Sequence, residues 1–218
     1  MSLCKRLIAR LDVKGAKLIK GIRFEGLKVV GDSCDAAINY YRQGVDEILY
    51  IDSVASLYGR NSLTEILKKT SNSIFIPITA GGGIRSVSDG AKLLAAGADK
   101  IAINSEAYNN LSLVNESAKK FGSQTIVLGI DYRRHNKKNI CYSHSGTKNE
   151  GVDPLSWAKK CIDNGAGEII LTSIDHDGLM QGYDLDFLNK FTNEVKVPVI
   201  VSGGAGNYNH FLNAFENG

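Results

Sequence analysis

Proline is scarce in this chain, with three in 218 residues, while 43% of the residues are hydrophobic, and together these exclude a disordered polypeptide. No apolar run approaches the roughly 18 residues that span a bilayer. The opening stretch from Met1 places Arg10 where the apolar segment of a secretory signal continues, so no export is expected. Cysteine is equally sparse. Cys4, Cys34, Cys141 and Cys161 have no CxxC spacing, which argues against a zinc site or a disulfide framework. Reduced thiols in a cytoplasmic protein are the expectation. Neither sign of charge dominates, the formal net being +3, and no basic run interleaves with aromatics, so neither a nucleic-acid nor a membrane partner is expected.

What is present is alternation. Strand candidates are Leu7–Val13, Glu47–Asp52, Ile74–Ala80, Lys100–Asn104, Thr125–Asp131, Glu168–Ser173 and Val197–Ser202. Helical patterns lie near Cys34–Gln43, Leu63–Ser71, Val87–Ala96, Leu113–Phe121, Pro154–Asn164, Leu185–Val195 and Tyr208–Asn217. Runs such as Ile48-Leu49-Tyr50-Ile51 and Ile169-Ile170-Leu171 are apolar at consecutive positions, as in parallel strands buried on both faces. Strands alternating with helices read as βαβ units. Gly44, Gly97 and Gly165 each close a helix just before a strand, where a left-handed residue is required.

A longer repeat organises these units. Asp131 follows Asp12 by 119 residues, Gly165 follows Gly44 by 121, and Gly203 follows Gly81 by 122. This offset points to two (βα)4 halves of a TIM-type (βα)8 barrel. The expectation is one barrel domain over 1–218, with the eighth unit, due near position 221, missing from the chain as given.

Active sites of such barrels lie at the C-terminal ends of the strands. Asp12 and Asp131 end the first and fifth strands, and two facing carboxylates can divide general acid and base roles. Gly81-Gly82-Gly83 and Ser202-Gly203-Gly204 read as loops whose backbone N–H groups, with the next helix N-terminus, cradle a phosphate. Two such loops imply a substrate with a phosphate at each end. Asn104 and Ser105 would complete the first phosphate site, and Thr172, Asp177 and Gly178 follow the sixth strand. Lys20 lies in the loop after the first strand, either closing over a phosphate or simply solvated. The segment 132–144 reads as an excursion or hairpin. Asp175-His176-Asp177 offers too few donors for a metal, so neither metal nor cofactor is expected, and the four histidines are read as surface or satisfied polar groups.

Leu11-Asp12-Val13-Lys14, Gly81-Gly82-Gly83-Ile84, the run Ala98–Asn104, Phe121-Gly122-Ser123-Gln124, the run Leu171–Gly178 and Ser202-Gly203-Gly204-Ala205-Gly206 together resemble the cyclase subunit of imidazole glycerol phosphate synthase. The resemblance covers the whole chain, in order. It implies a barrel enzyme of histidine biosynthesis. Ammonia would attack a phosphoribulosyl-formimino aminoimidazole carboxamide ribotide, giving imidazole glycerol phosphate and aminoimidazole carboxamide ribotide. By that resemblance Asp12 and Asp131 are the acid/base pair. Lys20 helps close the site, and Gly83, Asn104, Thr172, Asp177 and Gly204 contact substrate or phosphate. It also implies a glutaminase subunit docked on the N-terminal face. Ammonia would pass through the barrel past a gate of Arg6, Glu47, Lys100 and Glu168, with Asp99 facing the partner.

Three stretches depart from that pattern: Arg10, where the family has a small Cys; Lys14-Gly15-Ala16-Lys17; and the run Val54–Asn61. These resemble a paralogous branch found with surface-polysaccharide clusters, in which a cyclase-like protein and a glutaminase deliver ammonia to amidate a sugar. Asp131 departs from that branch, where Glu is common. A barrel that only activates a glutaminase also fits these features. A sugar-phosphate isomerase leaves the gate-like charges unexplained.

Overall fold

The computed structural model describes residues 5–55 and 63–218. Cys4 and residues 56–61 of the departing stretch lie outside the described residues. Two compact units divide the chain: one holds the residues up to Lys20 with Lys28–Ala102, the other Gly21–Leu27 with Ile103–Gly218. The order of elements and the parallel pairing are those of a TIM-type (βα)8 fold, an α/β architecture, with seven strand–helix units among the described residues.

In the first unit, β1 (Ile8–Lys14) pairs in parallel with β4 (Glu47–Asp52), β4 with β5 (Ile78–Gly81), and β5 with β6 (Lys100–Ile103). Between β1 and β4 the chain makes β2 (Lys17–Ile22), antiparallel to β1, and β3 (Glu25–Asp32), then α1 (Ser33–Arg42). Helices α2 (Leu63–Thr70) and α3 (Val87–Ala95) follow β4 and β5. Ile48, Leu49 and Tyr50 of β4 are all buried, as the consecutive apolar run predicts, and each contributes about 1.5–3 kcal/mol.

In the second unit, after α4 (Ser105–Asn109) and α5 (Ser112–Phe121), β7 (Ile126–His135) pairs in parallel with β10 (Glu168–Ser173), and β10 with β11 (Val199–Ser202). β8 (Lys138–Ser143) folds back on β7, and the short β9 (Lys148–Asn149) on β8, so the segment 132–144 is a hairpin. Helices α6 (Pro154–Asp163), α7 (Leu185–Thr192) and α8 (Tyr208–Asn217) follow.

The repeat is visible in the pairing itself. Asp12 stands opposite Ile51 and Ile51 opposite Gly81; Asp131 stands opposite Thr172 and Thr172 opposite Ser202. Ile48 N donates to Pro77 O and Ile169 N to Pro198 O, both at 3.0 Å. These prolines correct two predicted strand starts. Proline lacks the N–H that extends a ladder, so the strands begin at Ile78 and Val199 rather than Ile74 and Val197. Gly44, Gly97 and Gly165 take φ of 86°, 111° and 101°, the left-handed geometry expected at these junctions.

Helix starts follow their caps. Asp32 accepts from Cys34 N at 2.9 Å, Ser86 from Asp89 N at 3.2 Å, and Asp153 from Ser156 N at 2.9 Å ahead of Pro154. Cys34, Cys141 and Cys161 are free thiols. Burial pushes Cys141 and Cys161 up to about 12. A raised thiol stabilises the fold fully below its unfolded value near 8.5 and less as the pH climbs toward 12. At pH 8 an aromatic disulfide reagent is therefore expected to modify half-buried Cys34 while Cys141 and Cys161 stay unmodified until the protein unfolds, as mapped by mass spectrometry.

Candidate active site

In a strand, alternate side chains share a face. Arg10 and Asp12 of β1 do so, and Arg10 Nε donates to Asp12 Oδ1 at 3.0 Å. Both side chains are mostly buried, 18% and 15% exposed. Two strands along, Gly82 has φ 105°, and a Cβ there would lie 2.4 Å from the Asp52 carbonyl oxygen. Only glycine allows this approach, so the first glycine loop is built onto the end of β4. The buried Asp52 fixes that end, its Oδ1 accepting from Val54 N at 3.1 Å and Ala55 N at 3.0 Å. Gly83 continues the loop with φ 69°. Lys20 is not in a loop: it is an exposed residue of β2, because the segment after β1 folds into an antiparallel hairpin.

The second unit repeats this plan with different chemistry. Asp131 is buried near the middle of β7, and Asn104 Nδ2 donates to its Oδ2 at 2.7 Å. Asn104 reaches it because Gly129, two residues before Asp131, has no side chain; a Cβ there would lie 3.1 Å from Asn104 Cβ. Asn104 Oδ1 is buried and has no hydrogen-bond partner, an acceptor ready for a bound N–H or O–H. Buried Thr172 and half-buried Ser202 continue the row from Asp131. Ser105 Oγ accepts from His144 N at 3.0 Å, which ties it to the hairpin after β7.

Gly203 and Gly204 have φ of 88° and 119°, and Cβ atoms there would lie 2.5 Å from Ser173 O and 2.0 Å from Gly182 O. Ser173 Oγ pairs with His176 Nδ1 at 2.8 Å, and Asp175 Oδ2 accepts from Arg134 N at 2.8 Å. Gly178 packs against Gly21 O, and buried Asp177 lies beside it. The hairpin tip, residues 21–27, is fastened here. Arg23 N donates to Asp177 O at 2.9 Å, Arg23 Nε to Asp175 O at 3.2 Å, and Arg133 Nη2 to Arg23 O at 3.2 Å. Losing one such bond costs about 1 kcal/mol. Arg133→Ala is expected to raise the rate of tryptic cleavage after Arg23 by about fivefold, followed by gel and mass spectrometry.

At the strand starts of the first unit, Glu47 is buried and bridges two cations: Arg6 Nη1 pairs with its Oε1, and Lys100 Nζ lies 3.6 Å from its Oε2. Asp46 accepts from Leu7 N at 2.7 Å and Asp99 from Ile78 N at 2.8 Å, so both acids also fasten strand starts. Glu168 belongs to the second unit, buried at the start of β10.

A family described as histidine biosynthesis protein matches residues 6–218. The chain belongs to that family. Its relatives include the imidazole glycerol phosphate synthase subunit HisF of Legionella pneumophila, 50% identical over 94% of this chain and 98% of the relative. The HisF proteins of Sulfurisphaera tokodaii (45% identical, covering 97% and 85%) and Natranaerobius thermophilus (44%, covering 99% and 86%) are similar along nearly the whole chain. The resemblance read from the motifs therefore holds. No helix among the described residues is long and apolar enough to cross a membrane.

Within this histidine-biosynthesis member, several residues beside the candidate site went unread in the sequence. Asp52 stood at a predicted strand end but was not taken up. The Arg10–Asp12 pair was legible in the two-residue period. Asn104 on Asp131, and Arg23 and Arg133 at the hairpin tip, join positions far apart in the chain and leave no local signal.

Proposed function

We propose that this protein is the cyclase subunit of imidazole glycerol phosphate synthase. It uses ammonia from a glutaminase partner, in the cytoplasm, to convert the diphosphorylated ribotide to imidazole glycerol phosphate and aminoimidazole carboxamide ribotide. Asp12 and Asp131 act as general acid and base. Gly82, Gly83, Asn104 and Ser105 serve one phosphate, and Ser202, Gly203, Gly204, Thr172, Asp177 and Gly178 the other, with Lys20 closing the site. Arg6, Glu47, Lys100 and Glu168 gate the ammonia, and the glutaminase docks on the N-terminal face.

The observation that carries this reading is the pair of carboxylates at equivalent register positions of a repeated unit, each held by a dedicated donor. A repeat kept for stability alone requires no acid at either place. The glycine loops that follow β5 and β11 have left-handed residues in both halves, a backbone conformation from which anion-binding concavities are built.

The second reading, amidation of a sugar, is favoured by Arg10, a charged residue in a mostly buried strand position. Complementation separates the two. In a bacterial strain lacking its own cyclase subunit, with excess ammonium so that a mismatched glutaminase is not limiting, this gene is expected to restore growth without histidine. Soluble, expressed protein with no growth rejects the histidine-pathway assignment and leaves sugar amidation leading.

A further inference from the structure

The two halves hold their carboxylates differently. The register aligns Arg10, opposite Leu49, with Gly129, opposite Ile170. One half thus places a guanidinium two residues before its Asp, and the other places no side chain at all and brings in the neutral amide of Asn104. A half-barrel repeat needs neither device. Leu49 and Ile51, which stand opposite Arg10 and Asp12 on β4, are apolar, and a charged side chain held mostly out of water needs geometrically good partners. The Asp12 carboxylate supplies one at 3.0 Å.

We propose that Arg10 is a positioning residue for Asp12: lying two positions earlier on the same face of β1, it holds the carboxylate in one orientation through a charge-assisted bond. This rests on the reading of Asp12 as an acid/base residue. The Asp12 carboxylate accepts a charge-assisted bond from Arg10, and the Asp131 carboxylate accepts from the Asn104 amide, so each is held by a donor of a different kind. Arg10 itself moves no proton and contacts no reacting atom.

The test compares Arg10→Met, which keeps the length and loses the charge, with Arg10→Lys, which keeps the charge and loses the planar fork. With the ribotide and saturating ammonium, Arg10→Met is expected to lower kcat by about 10–100-fold, the scale of a misplaced catalytic group, with KM within about twofold. Arg10→Lys should recover a clear part of that loss. Equal kcat in wild type and Arg10→Met overturns the proposal, as does a change confined to KM, or a Lys variant no better than Met. Should Arg10→Met not fold, Arg10→Gln, which keeps a donor without the charge, carries the same readings. A wild-type protein that turns over no ribotide defeats the proposed function instead. Crystal structures then decide the pairing: the Asp12 carboxylate is expected to turn to a second rotamer in Arg10→Met, and an unmoved carboxylate overturns the proposal.

Discussion

Replacing Asp131 by Asn is expected to lower ammonium-dependent turnover of the ribotide by about 10²–10⁴, with the fold intact. Asn has nearly the shape of Asp, so the buried middle of β7 keeps its packing. Asn104 lies 2.7 Å away and can turn its amide to present Oδ1 to the new NH2 group, so the local hydrogen bond is restored. What is lost is the ability to exchange a proton. Asp12→Asn should lose turnover over the same range. Because the two act on one reaction, the double variant should fall little below the worse single one. The measurement is steady-state kcat for the three variants, with circular dichroism to confirm folding. Near-full activity in both single variants removes the acid/base assignment.

The second large effect concerns stability. Gly82→Ala and Gly203→Ala place a Cβ 2.4 Å and 2.5 Å from backbone carbonyl oxygens at φ of 105° and 88°. A left-handed conformation alone costs an L residue about 1–2 kcal/mol, and forcing backbone apart adds about 1–3 kcal/mol. Gly44 isolates the first of these, since its φ is 86° and a Cβ there meets nothing within 4 Å. Urea denaturation should therefore rank Gly44→Ala as mildly destabilised, by about 1 kcal/mol, and both loop variants as worse by about 2 kcal/mol more. Equal losses at all three positions would show that the loops are not built onto the ends of β4 and β10.

Those glycines also mark what could be read from the chain. Glu47–Asp52 and Glu168–Ser173 are legible to the residue, because a glycine closes the preceding helix and the strand is apolar on both faces. The glycine loops were found by the same logic, since a strand end is a local feature, but Asp12 lies inside β1, which runs on to Lys14. Asp131 lies within a longer strand than expected. β7 runs on to His135 and pairs with β8, so the excursion after it is continuous sheet. The hairpin β2–β3 escaped because every residue of β3 except Asp32 is exposed, including Leu27, Val29 and Val30, and no inward face gives a period of two. The fastening of its tip to the loop after β10 joins Arg23 to Asp175 and Asp177, and nothing near Arg23 in the sequence announces them. Arg10 was noticed only as unusual. Its meaning needed the distance to Asp12 and the glycine at the equivalent place in the other half.

The most direct test follows the nitrogen. The purified chain is incubated with the ribotide and ¹⁵N-labelled ammonium, without a glutaminase, and the products are resolved by mass spectrometry. The account predicts one ¹⁵N atom in imidazole glycerol phosphate, none in the aminoimidazole carboxamide ribotide, and equal amounts of the two. Unconsumed ribotide with folded protein, or label absent from the imidazole product, would contradict it.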